Sequence, residues 1–117
     1  MLPLQVLDVT LRDGGHLSNF HFTNEQLHRI ISALDAAGVD FIEVGYRNGS
    51  ISHIDNIGIA GLSPNEYLSF CKEGIQRSKM AVMAHCQNIT RNDIIEMKKC
   101  GVELLRLCIQ KGEHSLA

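Results

Sequence analysis

The sequence predicts an α/β fold with parallel strands, in which about four βα units form part of a (β/α)8-type barrel. Three observations predict it. Apolar runs that fit strands alternate with segments of helical periodicity, in the order β-α-β-α-β-α-β. Each connection is long enough for a right-handed crossover between parallel strands. The polar face of the expected strands carries Asp8, Thr10, Arg12, Glu43 and Arg106, which suits a barrel interior with a charged upper layer. A complete barrel takes about 250 residues, with about 200 near the lower limit. The 117 residues here are read as a single partial barrel domain, 1–117.

The first strand is expected over Leu4 to Leu11. Val6, Asp8, Thr10 and Arg12 would share one face, and Leu7, Val9 and Leu11 the other. Gly14-Gly15 should end it with a sharp backbone turn, leaving Asp13 at the strand end and His16 on the loop. A helix then starts at Thr23. Thr23 and Gln26 form a capping box, Phe22 and Leu27 a hydrophobic staple, and Leu27, Ile30, Ile31 and Leu34 a buried stripe. Gly38 supplies the stop. The second strand runs from Asp40 to Tyr46, with Ile42 and Val44 toward the helices and Phe41, Glu43 and Gly45 toward the interior.

Gly49 to Leu62 is a long connection, and Ile51, Ile54, Ile57 and Ile59 mark it as packed. Long loops of this kind often carry substrate contacts. Ser63-Pro64-Asn65-Glu66 should open the next helix with a serine cap and proline at the first helical position. That helix runs to about Gln76. The third strand is expected from about Met80 to His85. Thr90 caps a third helix, stapled by Ile89 and Ile94 and ended by Gly101. The fourth strand spans about Glu103 to Ile109, with Arg106 and Cys108 on one face and Leu105 and Leu107 on the other.

Composition narrows the functional classes. Hydrophobic content of 44% and charged content of 21% are those of an ordinary globular domain. A net charge of −2 gives no reason to expect nucleic acid, and Lys98-Lys99 reads as a solvated helix face. No window approaches the roughly 18 apolar residues of a membrane span. The N-terminus lacks the positive region of a signal peptide, so a cytoplasmic location is expected. Cys71, Cys86, Cys100 and Cys108 form no C-x-x-C pair and are read as reduced core residues. Asn88-Ile89-Thr90 is a chance sequon in this setting. No Gly-x-Gly-x-x-Gly follows the first strand, so a dinucleotide fold loses its usual support.

The chemistry gathers in Asp8-Val9-Thr10-Leu11-Arg12-Asp13-Gly14-Gly15-His16, which sets an arginine, an aspartate and a histidine within five residues. Thr10-Leu11-Arg12-Asp13-Gly14 resembles the signature of the metal-dependent lyase and synthase barrels, the hydroxymethylglutaryl-CoA lyase-like superfamily. Acyl-CoA-type members usually carry Gln where this chain has His16, and the histidine is similar to the 4-hydroxy-2-oxovalerate aldolase branch. The resemblance continues through Ala37 to Val44 and through Gly101 to Leu107.

That resemblance implies a lyase that cleaves a 4-hydroxy-2-oxo acid to pyruvate and an aldehyde. It implies Asp13 as a ligand of Mn²⁺ or Mg²⁺, an ion that would act as a Lewis acid on the substrate carbonyl. It implies Arg12 as the group that stabilises the developing enolate oxyanion, and His16 as the base for the 4-hydroxyl proton. An acylating aldehyde dehydrogenase is the partner it implies. The superfamily's His-x-His metal pair does not occur after the first strand, and His114 stands alone. The chain is therefore expected to be part of a longer protein, or to be completed by another chain in an oligomer. By itself it should lack aldolase activity.

Plainer roles compete for each residue. Asp13 also reads as a turn aspartate, Arg12 as an interior ion-pair partner of Asp8 or Glu43, and His16 as a loop histidine. Glu43 is expected to be a structural partner of an arginine, and His85 is a further candidate to line the site. Three other functions stand beside the leading one: an acyl-CoA-type lyase or synthase of the same superfamily, a Schiff-base aldolase using Lys79 or Lys111, and a non-catalytic half-barrel used for assembly.

Overall fold

Two threonines set the helical frame. Thr23 accepts from the Gln26 N–H at 3.1 Å while the Gln26 side chain accepts from the Thr23 N–H at 2.9 Å. Thr90 and Asp93 close the same box at the start of a later helix. Each box satisfies backbone donors that a helix start otherwise leaves unpaired. A computed structural model describes residues 3–109. In chain order it contains β1 (Leu7–Asp8), α1 (Thr10–Asp13), a 3₁₀ turn (Gly14–Leu17), α2 (Asn24–Ala37), β2 (Phe41–Tyr46), α3 (Ile59–Leu62), α4 (Asn65–Glu73), β3 (Lys79–His85), α5 (Arg91–Lys99) and β4 (Val102–Cys108).

The strands form one parallel sheet in the order β1-β2-β3-β4. Parallel strands in sequence order with helical crossovers are the N-terminal half of a (β/α)8 barrel. The core lies between sheet and helices: Leu27 and Ile31 of α2 and Tyr67, Leu68 and Cys71 of α4 pack with Ile42, Val44, Met80 and Val82. Gly38 takes a left-handed φ of 85° and stops α2, as expected. Among the described residues no helix is long and apolar enough to cross a membrane, and the four cysteines are thiols rather than disulfides.

Four expectations about local structure need correction. The strand expected over Leu4 to Leu11 is paired only at Leu7 and Asp8. Asp8 is the cause: its carboxylate accepts from the Thr10 N–H at 2.9 Å and from the Thr10 hydroxyl at 3.0 Å. That Asx-type turn bends the chain into the helical turn of α1, which buries Leu11 completely. Gly14 is helical, with φ −64°, and Gly15 is also absent from the positive-φ residues. What requires Gly15 is space, since a Cβ there would lie 2.3 Å from the Phe20 ring. Finally, Ser63 does not cap α4: it sits at φ 43°, and its hydroxyl donates to the Ala60 carbonyl instead. The α4 helix ends at Glu73 rather than near Gln76. The Gly49–Leu62 connection is packed in part, with Ile54 and Ile57 against the core, while Ile51 and Ile59 stay exposed.

Candidate active site at the C-terminal end of the sheet

Glu43 is the electrostatic centre of the sheet's interior face. It is fully buried on β2, where an unpaired carboxylate would be costly. Two arginines meet it. Arg12 Nε donates to Oε1 at 2.8 Å, and Arg106 donates through Nε to Oε2 at 2.7 Å and through Nη2 to Oε1 at 2.8 Å. The partner of Arg12 is therefore Glu43, and Asp8 is engaged with Thr10. Burial pulls Arg12 down, but the bond and charge of Glu43 outweigh it and raise its pKa further. The bonds from Glu43 raise Arg106 as well. Both guanidiniums are fixed cations.

Arg12, Asp13 and His16 come together as the sequence expects, on the turn that follows β1. Asp13 is at the rim, with its side chain 70% exposed and the Arg12 guanidinium 3.4 Å away. His16 lies in the 3₁₀ turn, exposed to solvent, with its ring edge-on to Phe20 at 4.8 Å and to Tyr46 at 5.9 Å. Phe20 holds a left-handed φ of 65° although it is bulky and fully buried. Such strain persists only when the surroundings fix it. Here Gly15 and Gly58 leave no space for a Cβ against the Phe20 ring and carbonyl.

Tyr46 is the member of this cluster that sequence reasoning missed. It stacks on His85 at 5.6 Å and 10°, meets Phe20 edge-on, and lies 5.8 Å from Arg12 Cζ. Strict alternation would turn Tyr46 toward the helices with Ile42 and Val44. The ladder does not keep alternation: Glu43 pairs with Ala81 but Tyr46 with Met83, so three steps of β2 span two of β3. The irregularity re-aims the side chains beyond it. Its signal in the sequence is Gly45, a glycine inside a strand pattern. A Cβ at Gly45 would lie 2.0 Å from the Ala60 carbonyl oxygen, and the Tyr67 hydroxyl donates to the Val44 carbonyl at 2.7 Å within the same stretch.

Arg47 follows and points the other way, into the helix layer. Its guanidinium donates to the Ser63 carbonyl, Asn65, Asp93 and Glu96. Lys79 begins β3, at the opposite end of the strand from His85, with its ammonium 5.9 Å from the Phe41 ring centroid. It is remote from the Arg12 cluster and does not suit a Schiff-base role there. Lys111 and His114 lie outside the described residues.

A divalent ion would find one suitable oxygen ligand here, the exposed carboxylate of Asp13. Among the described residues no three His, Cys, Asp or Glu side chains gather in a way that could hold a metal ion. The described residues thus gather fewer than three donors and do not make a metal site by themselves.

The chain is similar to known proteins over most of its length. The model of a family described as HMGL-like matches residues 3–113. A 4-hydroxy-2-oxovalerate aldolase of Moorella thermoacetica is 35% identical over 113 residues, covering 97% of this chain and 33% of the relative. One from Streptomyces tendae is 35% identical over 115 residues, covering 98% of this chain and 32% of the relative. The chain thus spans about a third of the length of the curated relatives it matches. Among solved structures, the N-terminal domain of a Bacteroides vulgatus protein, whose aldolase assignment is itself inferred, superposes with a TM-score of 0.74. It is 29% identical, and the match covers 89% of this chain and 35% of that one.

Proposed function

We propose a function from one premise: the chain belongs to the HMGL-like family. The reading is a divalent-metal aldolase that cleaves a 4-hydroxy-2-oxo acid to pyruvate and an aldehyde. Residues 1–117 would contribute the N-terminal half of its barrel as one partial domain. The observation that carries this reading is the gathering of Arg12, Asp13 and His16 on one turn, with Arg12 fixed by buried Glu43.

In this reading His16 removes the proton from the 4-hydroxyl group. The C3–C4 bond breaks, the aldehyde leaves, and the electron pair passes into the enolate of pyruvate. Arg12 stabilises the oxyanion with a charge already oriented before the reaction, which is where such stabilisation is most effective. Protonation at C3 completes pyruvate. Asp13 would hold the metal with ligands from outside the described residues. When bound, the ion would polarise the 2-oxo group as a Lewis acid. A cytoplasmic enzyme that passes its aldehyde to an acylating dehydrogenase is the setting this reading carries.

The test is release of pyruvate from a racemic 4-hydroxy-2-oxo acid by the intact protein with added Mn²⁺. Asp13→Asn should weaken Mn²⁺ binding by calorimetry and nearly abolish turnover. No pyruvate from the wild type would refute the reading, and unchanged Mn²⁺ affinity in Asp13→Asn would remove Asp13 from the ligand set.

A further inference from the structure

We propose that Tyr46 is the positioning residue of this site, setting the mutual orientation of His16 and Arg12 chiefly through its ring. The argument begins with how firmly Tyr46 is held. The residue is only 6% exposed. On one side of it Gly45 is pressed against the Ala60 carbonyl with no space for a side chain. On the other, Arg47 is tied into α4 and α5 by Asn65, Asp93 and Glu96. The backbone on both sides is therefore anchored to the helix layer, and the ring projects from a fixed base.

The ring then touches both groups assigned to the reaction. His16 meets it at 78° with centroids 5.9 Å apart, an edge-to-face contact whose energy depends on angle. The Arg12 guanidinium lies 5.8 Å from its centroid, within the range of cation–π attraction, and the Tyr46 hydroxyl also favours the charged guanidinium. His85 stacks on it and Phe20 abuts it, so the ring cannot tilt without moving a neighbour. His16 is exposed and sits on a short turn. Its ordered contacts are the two aromatic rings, and Tyr46 is the one that also reaches Arg12.

The kinetic part of this proposal rests on the aldolase reading, so the experiment has a second readout that does not. In the intact protein, Tyr46→Phe and Tyr46→Leu are compared with the wild type by NMR of the His16 imidazole protons, assigned by their loss in His16→Ala. They are also compared by steady-state pyruvate release. Tyr46→Leu should displace the His16 signals and lower kcat by about 100-fold with KM little changed, the usual scale for a misplaced reacting group. Tyr46→Phe should keep the wild-type His16 signals and most of the rate. If Tyr46→Leu does not fold, Tyr46→Met replaces it in the same comparison. Unmoved His16 signals with a wild-type kcat in the non-aromatic variant overturn the proposal. So does a Tyr46→Phe variant as impaired as Tyr46→Leu, which would give the role to the hydroxyl. A wild type that releases no pyruvate refutes the aldolase reading alone and leaves Tyr46 to be decided by the NMR arm.

Discussion

Replacing Glu43 by glutamine removes one charge and almost no volume from the buried centre of the site. The amide oxygen can remain where Oε1 is, still accepting from Arg12 Nε and Arg106 Nη2. The amide nitrogen then occupies the place of Oε2, facing Arg106 Nε at 2.7 Å, donor against donor. One charge-assisted bond is lost outright, worth about 1.5–3 kcal/mol. Deleting a partner from a fully buried ion pair costs about 3–5 kcal/mol. Solvent offsets part of that here, because the Arg106 side chain is 35% exposed. Glu43→Gln should therefore destabilise the fold by about 2–3 kcal/mol, between the neutral-swap and full-deletion limits. Urea unfolding of wild type and variant at neutral pH measures it. On the aldolase reading, kcat should fall by about 100-fold as Arg12 loses its fixed direction. A variant within about 0.5 kcal/mol of wild type, the range of an ordinary surface change, would refute the view that Glu43 organises both arginines.

Three further perturbations follow from the same structure. On the aldolase reading, His16→Ala should slow pyruvate release by roughly 10²–10⁴-fold, the worth of a general base. Asp35 is buried, which pushes its carboxyl up, but the N–H groups of Ser78, Arg77 and Gln76 outweigh burial and bring its pKa down to about 2. A depressed folded pKa gives stability that is present above the unfolded value and lost as pH falls through the folded one. The stability advantage of wild type over Asp35→Asn should thus shrink between about pH 4 and pH 2, as read by unfolding at stepped pH. Gly45→Ala should destabilise by at least the 1–3 kcal/mol of an overpacked core, because the new methyl meets backbone that has nowhere to go; thermal or urea unfolding would show it.

Much of the fold was legible because its signals are local. The boxes at Thr23 and Thr90 and the stop at Gly38 are backbone chemistry written within a few residues. The pairing of Glu43 with an arginine followed from a lone carboxylate on an apolar strand. The misses share a different cause, which is competition for the same backbone groups. Asp8 diverts the chain from β1 by bonding Thr10, a choice that periodicity does not register. Ser63 has capping chemistry, but its left-handed backbone turns the hydroxyl back to Ala60. In the site, Arg12, Asp13 and His16 were visible as a motif. Tyr46 was hidden because its side of the sheet depends on a register offset with β3, a non-local fact that Gly45 only hints at.

That offset also sets the charge of the interior. Regular alternation would send Arg47 inward beside Glu43 and leave Tyr46 among the helices. The interior cluster would then hold three guanidiniums against one carboxylate. With the offset, Arg47 is neutralised outside by Asp93 and Glu96, and the cluster keeps Arg12 and Arg106 against Glu43. Among these three side chains the formal excess is a single positive charge instead of two, with Asp13 beside Arg12 at the exposed rim. That difference separates a field one further carboxylate can balance from one that would need two. One extra residue in a strand thus acts as a charge selector, choosing which of two neighbouring side chains the interior receives.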